Sequence, residues 1–310
     1  MAPRAGRPTV AGVFKRIVVG YAGDQAGRDA AVLAAKMASL SDAKLTVAFP
    51  YHPVFAAVSG QAAEEGVRDE LQGLLGDHPS LATARYHWST ASWPIRALHE
   101  LAAYESADLV VFGAAHGRLE QRHLSLMERM VHGAPCAIAG APDGYAEQEH
   151  GELLRVGIGF ADTAEGRAAL ALGRELADRT GGTVRIVAGS GLSATLAGYA
   201  SLAAALPAIE DEMCEEMKSV VGRVARELDE GHDLQLDVRR GDPSRVLVDV
   251  SRELDVLILG SRAYGPLRYV LLGSVSAEVM RAAHCPVLVF PRAADVVNAT
   301  ETSRTALAAH

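Results

Sequence analysis

The chain has 310 residues, about the length of two ordinary domains. Its residues are 49% hydrophobic but only 5% aromatic, so we expect an aliphatic core. Charged residues make up 22%, and because the formal net charge is −8, we expect no nucleic-acid-binding surface. The three cysteines are too few and too scattered for a disulfide framework or a structural zinc site, and no apolar run approaches the roughly 18 residues that a membrane helix needs. Because no export signal is recognisable, we expect a cytoplasmic protein with neither a membrane nor a nucleic-acid partner.

Strand-like and helix-like patterns alternate through the first half of the chain, which we define as residues 15–141. Short runs rich in β-branched residues end at Gly20 and Gly113, which is typical of buried strands followed by turns. The predicted strands are 17–19, 45–49, 84–87, 108–112 and 135–139, and the predicted helices are 25–40, 62–75 and 94–106.

The same order of elements starts again after a polar segment, 142–152, which predicts a linker. We define residues 153–292 as the second half. Residues 1–14 and 293–310 are predicted to be a flexible arm and a disordered tail. The predicted strands are 155–158, 184–188, 234–238, 256–259 and 286–290, and the predicted helical segments are 164–180, 200–230, one that begins at Pro243 and one that begins at Gly273.

Three sequence matches indicate that the two halves repeat one unit. VVGYAGDQAGRDAA matches GIGFADTAEGRAAL, WPIRALHELAAYESADLVVFG matches DPSRVLVDVSRELDVLILG, and APCAIAG matches HCPVLVF. Strands that alternate with helices imply parallel strands joined by right-handed crossovers, with helices on both faces of the sheet. The sequence therefore predicts an α/β fold of two tandem, doubly wound, Rossmann-like domains, each with a five-stranded parallel sheet.

One stretch of the second half, GSRAYGPLRYVLLGSVS, has the order of a phosphate-binding loop. Gly260 ends a predicted strand, and Gly273 and Ser274 open a predicted helix. In doubly wound sheets, ligands bind beyond the carboxyl ends of the strands at the switch point, here beside strands one and four. The free N–H groups and the dipole of a helix N-terminus favour a phosphate there. Alternatively, this stretch is a simple loop and helix start with no ligand.

These repeats and this loop resemble the universal stress protein family, a family with a HUP-type fold, over residues 15–291. The ATP-binding branch of that family carries Gly, two residues, Gly, nine residues and then Gly-Ser or Gly-Thr. The chain has Gly260, Ala263 and Gly273-Ser274 at this spacing. The resemblance implies a non-enzymatic stress-response regulator that binds ATP or a related adenine nucleotide, with Mg²⁺ accompanying it. It implies contacts from Gly260, Arg262, Ala263, Gly273, Ser274, Val275 and Ser276.

The chain departs from the family pattern at two places in the second half. Ala263 replaces a glycine, which costs about 1–2 kcal/mol if a left-handed backbone is required there. The family places an Asp after the first strand, near the base and ribose, whereas here Ala161 takes that position and Asp162 follows it. In the first half the motif has decayed, with Ala22 at the Asp position and Arg122-His123 in place of Gly-Ser. We therefore predict nucleotide binding in the second half alone.

Partners and alternatives follow from the same observations. The resemblance implies that the halves pair through their fifth strands as a pseudo-dimer, and whole chains are a plausible homodimer. The alternative function is a nucleotide-free, stress-related protein-interaction module. A weaker alternative is slow ATP hydrolysis, for which Asp162 is the nearby carboxylate.

His116, His123 and His132 have no metal-site spacing, and Asp242 is expected to start a helix rather than act in catalysis.

Overall fold

Ten β-strands form one continuous sheet in the computed structural model of the chain. The structure describes residues 13–50, 60–89, 94–113, 130–131, 134–148, 151–191, 206–228, 234–261 and 273–290. The strands are β1 Arg16–Gly20, β2 Lys44–Pro50, β3 Arg85–Ser89, β4 Leu109–Gly113, β5 Ala137–Ala141, β6 Arg155–Gly159, β7 Thr183–Gly189, β8 Leu234–Arg239, β9 Val256–Gly260 and β10 Val287–Phe290. Every strand predicted from the sequence is confirmed.

The strand order is β3-β2-β1-β4-β5-β10-β9-β6-β7-β8. Each half therefore has the order 3-2-1-4-5, with parallel pairs inside each half. The crossover segments contain α1 Gln25–Ser41, α2 Gly60–Leu75, α3 Pro79–Ala82, α4 Pro94–Tyr104, α5 Ala164–Thr180, α6 Leu206–Leu228, α7 Pro243–Val250 and α8 Ser274–Ala282. Both predicted doubly wound units are confirmed.

The two halves join where β5 and β10 pair antiparallel. Val287 lies opposite Gly140, and Val289 lies opposite Ile138. The expected pairing of the fifth strands is present, whereas pairing of whole chains stays a prediction. A ladder of backbone hydrogen bonds thus makes one sheet from two repeats.

Two apolar clusters cover the two faces of this sheet, because successive strand side chains point to opposite faces. Val18 belongs to one cluster, and its neighbours Ile17 and Val19 belong to the other. Each cluster contains residues from both halves. The core is therefore aliphatic, as the composition predicts, and continuous across the repeat boundary.

The segment predicted as a linker is anchored to the first half. Tyr145 is 2% exposed and lies in a short 3₁₀ turn, Tyr145–Glu147. The buried Asp29 carboxylate of α1 accepts hydrogen bonds from the backbone N–H groups of Gly144 (3.0 Å) and Ala146 (2.7 Å). Residues 144–146 of this predicted linker are therefore held against α1, whereas Asp143, Glu147 and Gln148 are exposed.

Some predictions lie outside the described residues. These are the arm up to residue 12, the tail from residue 293, and His116, His123 and His132. Of the helices that the structure describes, none is long and apolar enough to cross a membrane.

Candidate functional site

A cavity of about 380 Å³ lies at the carboxyl ends of the second-half strands. It is bounded by the ends of β6, β7 and β9 and by the starts of α5, α7 and α8, which is the switch point that the sequence predicts. The lining residues are Gly159, Phe160, Ala161, Thr163, Glu165, Gly166, Val187, Ala188, Gly189, Met217, Pro243, Leu247, Leu259, Gly260, Ser261, Gly273, Val275 and Ser276.

Gly260 has a packing role at the floor of this cavity. A Cβ added to Gly260 would lie 2.8 Å from the carbonyl carbon of Glu165 and 2.9 Å from its oxygen. A Cβ on Gly166 would lie 2.0 Å from the carbonyl oxygen of Ala161. Glycine at these positions therefore lets the first turn of α5 approach the ends of β6 and β9, whether or not a ligand is present.

Helix α8 directs its N-terminus at the cavity. Its N-cap is Gly273, which supplies no side-chain cap, and the first helical hydrogen bond runs from Ala277 N–H to the Gly273 carbonyl (2.9 Å). The amides of Ser274, Val275 and Ser276 precede that bond and have no partner within the helix. Gly273, Val275 and Ser276 line the cavity, whereas the exposed Ser274 does not.

Two buried serines add hydroxyl groups to the lining. Ser276 lies in the first turn of α8, and Ser261 follows β9, where its N–H donates to the Phe290 carbonyl (2.9 Å). The site prediction included Ser276 and missed Ser261. The sequence signal for Ser261 was available, since it is the first polar residue after a buried strand that ends at the switch point.

Much of the remaining cavity wall is apolar. Phe160, Val187, Leu247 and Met217 line it, and the first three are buried. Met217 comes from α6, so that helix forms part of the wall. A lining that combines backbone amides and hydroxyl groups with apolar side chains suits a ligand that has both polar and apolar parts.

Ala161 and Asp162, the two candidates for the family's Asp position, have different surroundings. Ala161 lines the cavity, but Asp162 does not. The Asp162 carboxylate accepts a hydrogen bond from Arg167 Nε (3.0 Å) and lies 3.6 Å from a guanidinium nitrogen of Arg223. Asp162 therefore ties α5 to α6 and does not face a ligand in this cavity.

Asp242 begins α7, as predicted. Its Oδ1 accepts from the backbone N–H of Ser244 (2.9 Å), and the Ser244 hydroxyl lies 2.5 Å from that oxygen and 2.7 Å from Glu278 Oε2. The hydrogen bond from the Ser244 side chain lowers the pKa of Asp242. Through Ser244 this cap also connects α7 to α8, so it fixes the helix whose N-terminus reaches the cavity.

Charge at the cavity comes from few groups. Among the described residues of the lining, Glu165 is the one with an ionisable side chain, and no lysine or arginine is present. The predicted contacts Arg262 and Ala263 lie outside the described residues. In the described part of the chain, no group of three or more His, Cys, Asp or Glu residues could hold a metal ion.

Comparison with known proteins identifies the family. The model of the "Universal stress protein family" matches residues 14–139 and 154–291. The chain belongs to the universal stress protein family. Universal stress protein Rv2319c of Mycobacterium tuberculosis is 25% identical over 305 residues, which cover 89% of this chain and 99% of that protein.

Solved universal stress protein structures share the fold of the whole chain. A putative universal stress protein of Pseudomonas aeruginosa has a TM-score of 0.57 and 15% identity, covering 94% of this chain and 98% of that one. A universal stress protein of Archaeoglobus fulgidus has the same TM-score and identity, covering 91% and 97%. Both support the tandem arrangement of two universal stress protein domains.

The first universal stress protein domain has a cavity at the equivalent place, but its lining differs. This cavity is about 270 Å³ and is bounded by β1, β2, β4, α1 and α4. Phe49 stands where the second half has Ala188, and Ile95 stands where it has Ser244. The repeated architecture therefore presents two chemically different cavities.

Proposed function

We propose that the second domain binds ATP or a related adenine nucleotide and that the chain acts through this binding as a non-enzymatic stress-response regulator. The observation that carries the proposal is the start of α8, where three amides precede the first helical hydrogen bond beside a cavity. Helix N-termini of this kind favour phosphate, since both the amides and the helix dipole attract an anion.

The two ends of the cavity suggest how the nucleotide is oriented. The phosphates would lie against the amides of Val275 and Ser276, where the Ser261 hydroxyl is also available. The adenine would lie against the apolar wall that contains Phe160, Val187 and Leu247. Ala161 offers no carboxylate to the ribose, so the phosphate end would carry most of the polar recognition.

Mg²⁺ would enter this site with the phosphates of the nucleotide. Mg²⁺ is usually held by one or two carboxylates together with substrate phosphates. Glu165 lines the cavity, whereas Asp162 is ion-paired outside it. We therefore assign Glu165, and not Asp162, as the carboxylate that faces nucleotide-bound Mg²⁺.

Binding without chemistry is the role that fits the lining. The described lining contains no Cys, His or Lys, and Glu165 is its one carboxylate. Asp162 is ion-paired outside the cavity, so we do not expect it to take part in slow hydrolysis. ATP turnover by the purified chain is therefore expected to be unchanged in Asp162→Ala.

Equilibrium dialysis of the full chain with labelled ATP and Mg²⁺ tests this proposal. Gly273→Val should weaken binding at least tenfold, because a branched side chain crowds the phosphate position. Ala161→Phe should abolish it by filling the cavity. The matched control is Ala22→Phe, the repeat-equivalent change in the first domain, which should leave ATP affinity unchanged.

The nucleotide-free interaction module is the second candidate function. It is favoured by the lack of a lysine or arginine in the described lining, because a triphosphate needs compensating charge. No detectable binding at millimolar ATP would select this alternative, whereas equal ATP binding in wild type and Ala161→Phe would contradict the assignment of the nucleotide to this cavity.

A further inference from the structure

The cavity of the first domain has an apolar lining with one carboxylate. It is about 270 Å³, and its walls include Ala48, Phe49, Leu98 and Phe112. Phe49 belongs to an aromatic group, with its ring centroid 6.2 Å from that of Tyr21 in an edge-on arrangement. We propose that this cavity is a second ligand site, which takes a neutral, largely apolar molecule of about two aromatic rings.

Size supports a ligand of this kind. An enclosed apolar cavity of roughly 150 Å³ accepts benzene, so a cavity of about 270 Å³ has room for a second ring. The first-domain cavity is partly open to solvent, so a ligand can enter from the surface. It would displace water to which the apolar side chains Ile95, Leu98 and Leu101 offer no hydrogen bonds.

In the described linings, each cavity has one carboxylate, but at a different position: Glu165, to which we assign the Mg²⁺ contact, in the second domain, and the helix-capping Asp24 in the first. Asp24 lines the first cavity and caps α1, with its Oδ1 accepting from Gly27 N–H (2.8 Å). Its repeat equivalent is Thr163, which caps α5 through a neutral hydroxyl that accepts from Gly166 N–H (3.1 Å). The same cap therefore carries a negative charge in the first domain alone. No cationic side chain is present among the described residues of that lining to offset it.

Helix α4 of the first domain also has an apolar residue, Ile95, where the equivalent helix α7 has the polar Ser244. Ser244 of α7 hydrogen-bonds to Asp242 and Glu278, and its repeat equivalent in the first domain is Ile95. Ile95 lines the first cavity and is buried. A hydrogen-bonded connection between two helices in the second domain thus corresponds to an apolar wall in the first. This is the change expected where a site takes an apolar ligand.

Fluorescence titration of the full chain tests the proposal with two probes of one ring framework. N-Phenyl-1-naphthylamine is neutral, and 8-anilino-1-naphthalenesulfonate is anionic. Wild type should bind the neutral probe saturably at one site and the anionic probe at least tenfold more weakly there. Asp24→Thr keeps a helix cap and removes the charge, so it should narrow that difference.

Cavity-filling variants locate the site. Ala22→Phe and Ala97→Phe, which fill the first cavity from two elements, should each weaken the neutral probe at least tenfold. Ala161→Phe fills the second cavity and should leave that affinity unchanged. Partial unfolding would increase the signal of an apolar probe, and far-UV circular dichroism of each variant excludes complete unfolding as the cause of a loss of signal.

Three outcomes would overturn the proposal: no saturable binding of the neutral probe, binding unaffected by both first-domain variants, or binding lost in Ala161→Phe. None of these outcomes decides whether ATP binds in the second domain. That binding is tested with labelled ATP, where Ala161→Phe is the disruptive variant and Ala22→Phe is the control. Failure of the apolar site and failure of the nucleotide site are therefore distinguishable.

Discussion

Gly260 and its repeat equivalent Gly113 each lie where the start of a neighbouring helix comes very close to the strand end. A Cβ on Gly113 would lie 2.0 Å from the Ala26 carbonyl oxygen, and a Cβ on Gly260 would lie 2.8 Å from Glu165. The first domain keeps this glycine although we predict that it binds no nucleotide. Close packing against the start of α1 or α5 therefore accounts for the glycine without a bound phosphate.

Gly260→Ala is predicted to destabilise the chain by about 1–3 kcal/mol, because the neighbouring α5 backbone must shift to admit a methyl group. The control is Gly222→Ala in α6, where an added Cβ meets nothing within 4 Å. That change should stabilise slightly, by about 0.5–1 kcal/mol. Urea unfolding measures both, and equal stability of Gly260→Ala and wild type would contradict the packing role.

Single residues at the site were predictable to different degrees. Gly273, Val275 and Ser276 follow from the strand, loop and helix order, and the structure brings all three to the cavity. The choice between Ala161 and Asp162 depends on side-chain direction and on the distant Arg223, which no local pattern reveals. Ser261 could have been inferred from its place after β9.

At the scale of elements, an aspartate before the fourth strand holds the start of the first strand in each half. Asp108 Oδ2 accepts from the backbone N–H groups of Lys15 (2.6 Å) and Arg16 (2.9 Å). Asp255 does the same for Leu154 (3.0 Å) and Arg155 (2.8 Å). These bonds satisfy N–H groups at a strand start that would otherwise depend on water.

Low pH should weaken the hydrogen bonds that Asp255 accepts from Leu154 and Arg155. Burial by itself would raise the pKa of Asp255, but the hydrogen bonds from Arg155 and the backbone outweigh it and lower that pKa. Because the pKa of Asp255 is lower in the folded than in the unfolded chain, its carboxylate stabilises the fold above the unfolded-state pKa, near pH 4. This stabilisation is lost as the pH falls through the folded-state pKa. Asp255→Asn should therefore cost about 1–2 kcal/mol at pH 7 and less at pH 3.

Urea unfolding of Asp255→Asn at pH 7, 4 and 3 checks this pH dependence. The exposed Glu216→Gln on α6 serves as the control and should follow the wild-type curve. A constant difference between Asp255→Asn and wild type at all three pH values would count against the assignment.

The anchored segment 142–148 depends on a carboxylate that has no counterpart in the second half. Asp29 is buried in α1, and its repeat equivalent in α5 is Ala168. Sequence reading missed this contact because Asp29 is read as an ordinary helix residue and the segment is read as polar. The contact joins residues far apart in sequence, so periodicity and turn composition carry no trace of it.

Asp29→Ala is predicted to cost about 2–3 kcal/mol, because two buried N–H groups lose their acceptor. Asp29→Asn keeps one oxygen acceptor and should lose less. Urea unfolding gives the stabilities, and hydrogen exchange should speed up at Gly144 and Ala146 in Asp29→Ala. Unchanged exchange at both amides would show that Asp29 does not hold this segment.

At the scale of the whole molecule, one sheet and two continuous cores combine halves whose sites have diverged. The alternation of strand and helix patterns, given twice, was sufficient to predict two doubly wound parallel units, whereas the pairing of the fifth strands was predicted from the family resemblance. The contents of the two cavities were harder to predict, because they depend on which side chains from several elements converge. A shared framework with two different linings is what our proposal of nucleotide binding in the second domain alone requires.

A crystal structure of the full chain grown with ATP and Mg²⁺ would test whether nucleotide binds in the second domain alone. We predict phosphate density against the amides of Val275 and Ser276, adenine density against the wall with Phe160, and no nucleotide in the first-domain cavity. Nucleotide density in the first cavity, or phosphates bound away from the start of α8, would contradict it.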